Sequence, residues 1–185
     1  MSKQTVITEA MRLFAEKGYD GASLSMIAKA AGMKTPSLYA HVESKDDLFL
    51  TAFSEVMKKE EETMKRAMKD QRGKERLKAI FTFYTDPNGR ELERAFYLRA
   101  LFFPPEHLEK DIKQMVIHVE TMMSHELVQT LRELELLVLE ENWIHSFYAL
   151  MDGLLLEQRL YEDEELQQRI VSAWATLEAL LKEEK

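Results

Sequence analysis

The 185-residue sequence contains no cysteine. That excludes disulfides, thiolate metal sites and cysteine nucleophiles, and it suits a reducing compartment. Glycine and proline number only six and four, too few breakers for a chain of short strands and tight turns. No β-branched run alternates with period two, and no continuous apolar stretch is long enough to span a bilayer. The first residues, MSKQTVITEAMRLFAEKG, interleave charge with apolar groups and do not read as a secretory leader. A cytoplasmic location without a membrane partner is the expectation. Enzyme signatures are also missing: there is no HExxH, Gly-rich phosphate loop or Gly-x-Ser-x-Gly elbow. No catalytic residue, metal or cofactor is therefore expected. His118 and His125 lie seven apart on one predicted helix, where exposed or core roles are commoner than a metal pair.

What remains is helix-forming. Ala, Leu, Met, Glu and Lys dominate, and the 45% apolar and 31% charged shares belong to a folded globular chain. The fold class expected is all-α. The net charge of -8 argues against a polyanionic partner until it is located along the chain. Residues 1–50 carry six Lys or Arg and six Asp or Glu, so the acidity lies wholly beyond them. A neutral head on an acidic body still permits DNA binding if its cations converge on one face.

In that head, Ile7, Ala10, Met11 and Phe14 recur at helical spacing, and Gly18 stands where a left-handed C-cap belongs. The first helix is thus predicted to end near Lys17. Ser23 is a natural N-cap for a short helix that stops at Gly32, and Thr35 caps a third, with Pro36 at its first position. Ser44, with Asp46 and Asp47 behind it, opens a fourth. It runs without Gly or Pro to about Asp70, a rod of roughly 26 residues and about 39 Å. Three short helices followed by a rod match the helix-turn-helix plan, whose last short helix lies in the major groove. Ile27, Ala28, Ala31 and Leu38 form its expected core, which leaves Thr35, Ser37, Tyr39 and His41 facing outward. Hydroxyls and imidazole can bond base edges or phosphates, Pro36 can meet a thymine methyl, and Lys45 can neutralise a phosphate.

The segment FAEKGYDGASLSMIAKAAGMKTPSLYAHVESKDDL resembles the TetR family of bacterial transcriptional regulators. Phe14, Gly18, Tyr19, Ile27, Ala28, Ala31, Gly32, Leu38, Tyr39, Lys45 and Leu48 stand at that family's signature spacings, over about the first 48 residues. The resemblance implies a helix-turn-helix domain at 1–46 and a ligand-binding and dimerisation domain at 47–185. It also implies DNA contacts at the positions of Thr35, Pro36, Ser37, Tyr39 and His41, and a phosphate contact at Lys45. Ser25 and Lys34 complete the expected DNA-binding set. Two departures stand out: Ser25 occupies a position that is basic in many members, and Val42 one that is often Phe. Lys3 is the only cation of an N-terminal arm.

Beyond the rod, breakers at Gly73, Asp86 to Gly89, and Pro104 with Pro105 delimit helices near 73–85 and 89–102. Residues 106–134 read as one long helix or two, and the last helices fall near 140–160 and 163–183. The middle of the chain is rich in large polarizable side chains. Most must be core, but together they suggest a pocket for a small apolar or aromatic effector. Its expected lining is Phe81, Tyr84, Phe96, Phe103, Met115, Met122, Trp143 and Phe147, with Arg99 and His118 as polar fixing groups. Leu150, Gly153, Leu154, Ile170, Trp174 and Leu177 form the expected homodimer surface, which the resemblance places in a four-helix interface. The function expected is a ligand-responsive regulator, a repressor by the resemblance, that binds a palindromic operator as a dimer and is released by its effector. The rival readings are a small helical enzyme and a protein-binding adaptor with a vestigial head.

Overall fold

The structure is a computed structural model that describes residues 2–86, 88–136 and 140–182. Among the described residues there are nine α-helices, one 3-10 turn and no strand, as the scarcity of breakers and of β-branched alternation requires. In order they are α1 (Lys3–Gly21), α2 (Leu24–Ala30), α3 (Thr35–Leu38), α4 (Lys45–Met68), α5 (Gly73–Thr85), α6 (Glu91–Phe102), the 3-10 turn Glu106–Leu108, α7 (Glu109–Glu133), α8 (Glu140–Glu157) and α9 (Asp163–Leu180).

Local chemistry explains the boundaries in the head. Ser23 caps α2 by accepting the Met26 N–H at 3.2 Å. Before α4 the exchange is reciprocal. Ser44 Oγ accepts the Asp47 N–H at 3.0 Å, and the Asp47 carboxylate accepts the Glu43 N–H at 2.9 Å, so one donor of the first helical turn and one just ahead of it are satisfied. Thr35 differs from expectation. The N-cap of α3 is Lys34, which supplies no side-chain bond, and Thr35 is already helical with Pro36 next to it.

Gly18 does have positive φ, at 73° with ψ of 177°, but the chain then makes one further turn through Gly21. The backbone there lies in a region open essentially to glycine alone. A Cβ at Gly18 would also meet Arg99 Nη2 at 2.7 Å. Gly18→Ala is expected to lower stability by about 1–3 kcal/mol, read as a fall in the chemical-denaturation midpoint. An unchanged midpoint would show that neither the strain nor the Arg99 contact matters.

The chain forms two compact units. The first comprises residues 1–61 and 89–119, the second residues 62–88 and 120–185. The first therefore holds α1–α3 together with the start of α4, all of α6 and the start of α7. In its core, Val6, Ala10, Phe14, Ile27, Ala28 and Leu38 join Leu48, Phe49 and Phe53 of α4 and Phe96 of α6, all 2% exposed or less. Phe96 meets Phe14, Phe49 and Phe53 at ring-centroid distances of 6.0, 5.2 and 6.0 Å. Each such aromatic contributes about 1.5–3 kcal/mol through burial alone.

The core of the second unit is built on α5, α8, α9 and the later turns of α7 around Trp143 and Phe147, both fully buried and stacked at 5.5 Å. The indole N–H of Trp143 donates to the Leu177 carbonyl at 3.0 Å. That carbonyl belongs to the last turn of α9, where helical geometry supplies no backbone partner. The stretch LELLVLEEN, which covers the open boundary after α7, falls partly on residues 137–139, outside the described residues.

Candidate nucleic-acid interface

The turn between α2 and α3 is set by Gly32 at φ 70°. Leu38, Ile27 and Ala28 are fully buried beneath it and Ala31 nearly so, which fixes the opposite face of α3. Ser25, Lys34, Pro36 and Ser37 are exposed, Tyr39 is 57% exposed, and Thr35, His41 and Lys45 are half-buried. Among the described residues, Thr35, Ser37, Tyr39 and His41 make no side-chain hydrogen bond within the chain, while Ser25 Oγ lies 2.9 Å from Ser23 Oγ. A run of seven residues thus buries one leucine and presents polar groups on both sides of it. These groups are available to an external partner.

Lys45 is held differently. Its ammonium lies over the Tyr19 ring, 4.1 Å from the centroid. The Tyr19 hydroxyl donates to Asp46 Oδ1. His107 Nε2, from the 3-10 turn, reaches the same oxygen at 3.2 Å, and its ring meets Tyr19 edge to face at 5.6 Å. The Tyr19 phenol is pushed up to about 12, first by burial and then by its bond to Asp46. The Asp46 carboxyl is held below the usual carboxylate range, first by the Tyr19 hydroxyl and then by His107. Sequence reasoning treated Asp46 only as a helix opener and did not single out His107. Nothing in the spacing links residues 46 and 107.

The expected effector residues are divided between the two units. In the first, Phe96 is core beneath α1 rather than pocket lining, because α1 covers the face it stands on. Arg99 packs its guanidinium against Gly18 and lies over Phe103, which is 74% exposed. Met115 and His118 do come together. With Met57, Lys58 and Glu61 of α4 they line a cleft of about 330 Å³. In the second unit Trp143 and Phe147 are filled core, Tyr84 packs edge-on to Phe147 at 6.2 Å, and Phe81 packs on Trp174 at 5.3 Å. Met122 is 37% exposed.

The expected dimer residues also separate. Leu177 is fully buried and Leu154 nearly so, because α8 and α9 pack on each other within the subunit. Leu150, Ile170 and Trp174 are half-buried, and Gly153 is exposed with nothing within 4 Å of where its Cβ would stand. Exposed apolar side chains that the sequence reading passed over are Leu156 on α8, Leu160 in the turn that follows it and Val171 on α9. Among the described residues no helix is long and apolar enough to cross a membrane, and no group of three or more His, Asp or Glu is placed to hold a metal ion.

The head is a helix-turn-helix module: two short helices share a small apolar core and the second presents an exposed polar face. Residues 6–52 match the family described as bacterial regulatory proteins, tetR family. The chain is 28% identical over 128 residues, 69% of its length and 68% of the relative's, to the biofilm operon icaADBC HTH-type negative transcriptional regulator IcaR of Staphylococcus epidermidis. The Staphylococcus aureus IcaR is 47% identical over 47 residues, a quarter of each chain. Among solved structures, a transcriptional regulator FadR from Bacillus subtilis in complex with stearoyl-CoA has a TM-score of 0.73 at 18% identity and covers all of both chains. A putative regulator from Pseudomonas aeruginosa has a TM-score of 0.73 at 22% identity, covering 98% of this chain and 90% of its own. Over residues 6–52 the chain is thus similar to the tetR family of bacterial regulatory proteins, and the relatives and neighbours it resembles beyond them are named as transcriptional regulators.

Proposed function

We propose that the protein is a homodimeric repressor that binds a palindromic operator and releases it when a small apolar or aromatic effector is bound. The exposed, unpaired polar face from Lys34 to His41 over a buried Leu38 carries the DNA-binding half of this reading. Thr35, Ser37, Tyr39 and His41 supply base-edge and phosphate contacts, Pro36 an apolar one, and Ser25, Lys34 and Lys45 phosphate contacts. The functional division is a DNA-binding domain at 1–46 and an effector and dimer domain at 47–185. Repression accords with IcaR, which is named a negative regulator.

The cleft lined by Met57, Met115 and His118 is one place for this effector, with His118 as a polar fixing group. The stearoyl chain of the stearoyl-CoA in complex with the Bacillus subtilis FadR is an apolar precedent on a similar fold. A second copy of the chain is the occupant proposed for the exposed face of α8 and α9. Leu156 and Val171 stand exposed there, and the open space at Gly153 leaves room for a helix of the partner. Two heads on a twofold axis read two half-sites, and an effector that shifts α4 changes their separation, so both can no longer be engaged at once.

Selection of bound duplexes from a random pool, at moderate salt, tests the reading directly. An inverted repeat with a fixed spacing is the expected product. Recovery of sequences without symmetry, or of no enriched sequence, would refute it.

A further inference from the structure

Resting on the DNA-binding reading above, we propose that Asp46 and His107 are positioning residues for Lys45 and that the charge on His107 sets operator affinity. Three elements converge at this point: the end of α1 through Tyr19, the start of α4 through Lys45 and Asp46, and the 3-10 turn through His107. One aromatic ring supports the lysine on its face and delivers its hydroxyl to the carboxylate beside that lysine. His107 reaches the same carboxylate oxygen from the segment that joins α6 to α7. Those two helices carry Arg99, Met115 and His118, so the turn links residues expected to sense an effector with a residue expected to meet a phosphate.

The electrostatics have a definite sign. Asp46 places a negative charge next to the cation that faces DNA. When His107 is protonated, its bond to Asp46 becomes charge-assisted and the carboxylate is neutralised. The net gain of one positive charge at the DNA-facing edge favours a polyanion. Tyr19, with Asp20 acting on it, and Asp46, with Lys45 acting on it, are the charged or titratable groups of the cluster besides His107, and Glu106, Glu109 and Lys110 are its near neighbours in sequence. Tyr19, at about 12, stays neutral and Asp46 stays ionised throughout the range in which histidines titrate. The side chains of His107 and Asp46 are 55% and 43% exposed, so solvent screens the pair and the effect is a tuning one, about three- to five-fold in affinity.

The experiment titrates the selected operator with wild type, H107Q, H107K and D46N at fixed ionic strength, at about pH 8 and about pH 6. Wild type should gain about three- to five-fold more affinity on acidification than H107Q does. H107K should bind at the higher pH about three- to five-fold more tightly than wild type does there, and should gain no more on acidification than H107Q. H107Q should also cost less in a D46N background than alone, a non-additivity that a purely local packing role would not produce. If H107Q folds poorly, H107K carries the test by itself. Retention of the wild-type increment by either His107 variant would overturn the proposal and assign the titration to another histidine, such as His41. Absence of sequence-specific binding by wild type at both pH values would instead sink the DNA-binding reading on which the proposal rests.

Discussion

Leu38→Ala is expected to lower the stability of the head by about 2–5 kcal/mol, whereas Tyr39→Ala, one residue on, is expected to change it by less than about 0.5 kcal/mol. Operator binding should show the reverse order of directness. Tyr39→Ala weakens it by about 1–3 kcal/mol with the fold intact, the size of one lost base or phosphate contact. Leu38→Ala weakens it only by emptying the head of folded protein. The contrast follows from burial: Leu38 is fully enclosed with Ile27 and Ala28, while the Tyr39 ring is 57% exposed. Chemical denaturation and an operator titration on both variants decide the matter. A Tyr39→Ala protein that melts early, or that binds the operator as wild type does, would place Tyr39 in the packing rather than at the groove.

If α8 and α9 form the proposed dimer interface, a double substitution of Val171 and Leu156 by glutamate should leave the protein monomeric in sedimentation where wild type is dimeric. Operator affinity should fall by about 10²- to 10⁴-fold as the effective concentration of the second head is lost. Both residues are exposed in the subunit, at 66% and 46%, so the carboxylates cost little in the isolated chain. Four of them around a twofold axis would face one another across a desolvated interface. Leu154 and Leu177 are poor sites for the same experiment. They lie in the subunit's own core, and charging them would unfold the chain whether or not it dimerises. If the glutamate variant remained dimeric, the face of α8 and α9 would not be the interface.

The head was the most legible part of the sequence because its signals are local. Ser23 and Ser44 cap the helices they were expected to cap, Gly32 and Gly18 take the positive φ that their positions require, and Ile27, Ala28 and Leu38 form the core read from helical spacing. Each of these depends on groups a few residues apart. Thr35 was misread by one position, since a Pro at the second residue is compatible with either neighbour as the cap. The fold class followed from composition, and the similarity to the tetR family from residues crowded into the first quarter of the chain.

The effector and dimer residues were less legible for a single reason. Helical periodicity places a side chain on a face but does not say what covers that face. Phe96 was read as pocket lining and is enclosed by Phe14, Phe49 and Phe53. Leu177 was read as interface and is roofed by Trp143, whose indole also takes up its carbonyl. Phe103 was read as a wall and stands 74% exposed.

From its order of residues alone the chain is committed to helices, to a capped helix-turn-helix at its start, and to which residues face inward there, because capping, propensity and spacing act over one or two turns. Tertiary packing alone decides that α6 closes the core of the head, that Trp143 stacks on Phe147 within the core of the second unit, and that a histidine at 107 shares an oxygen with a hydroxyl at 19. Those outcomes depend on which surfaces meet across tens of residues, and burial and Coulomb energy are properties of the meeting rather than of either partner.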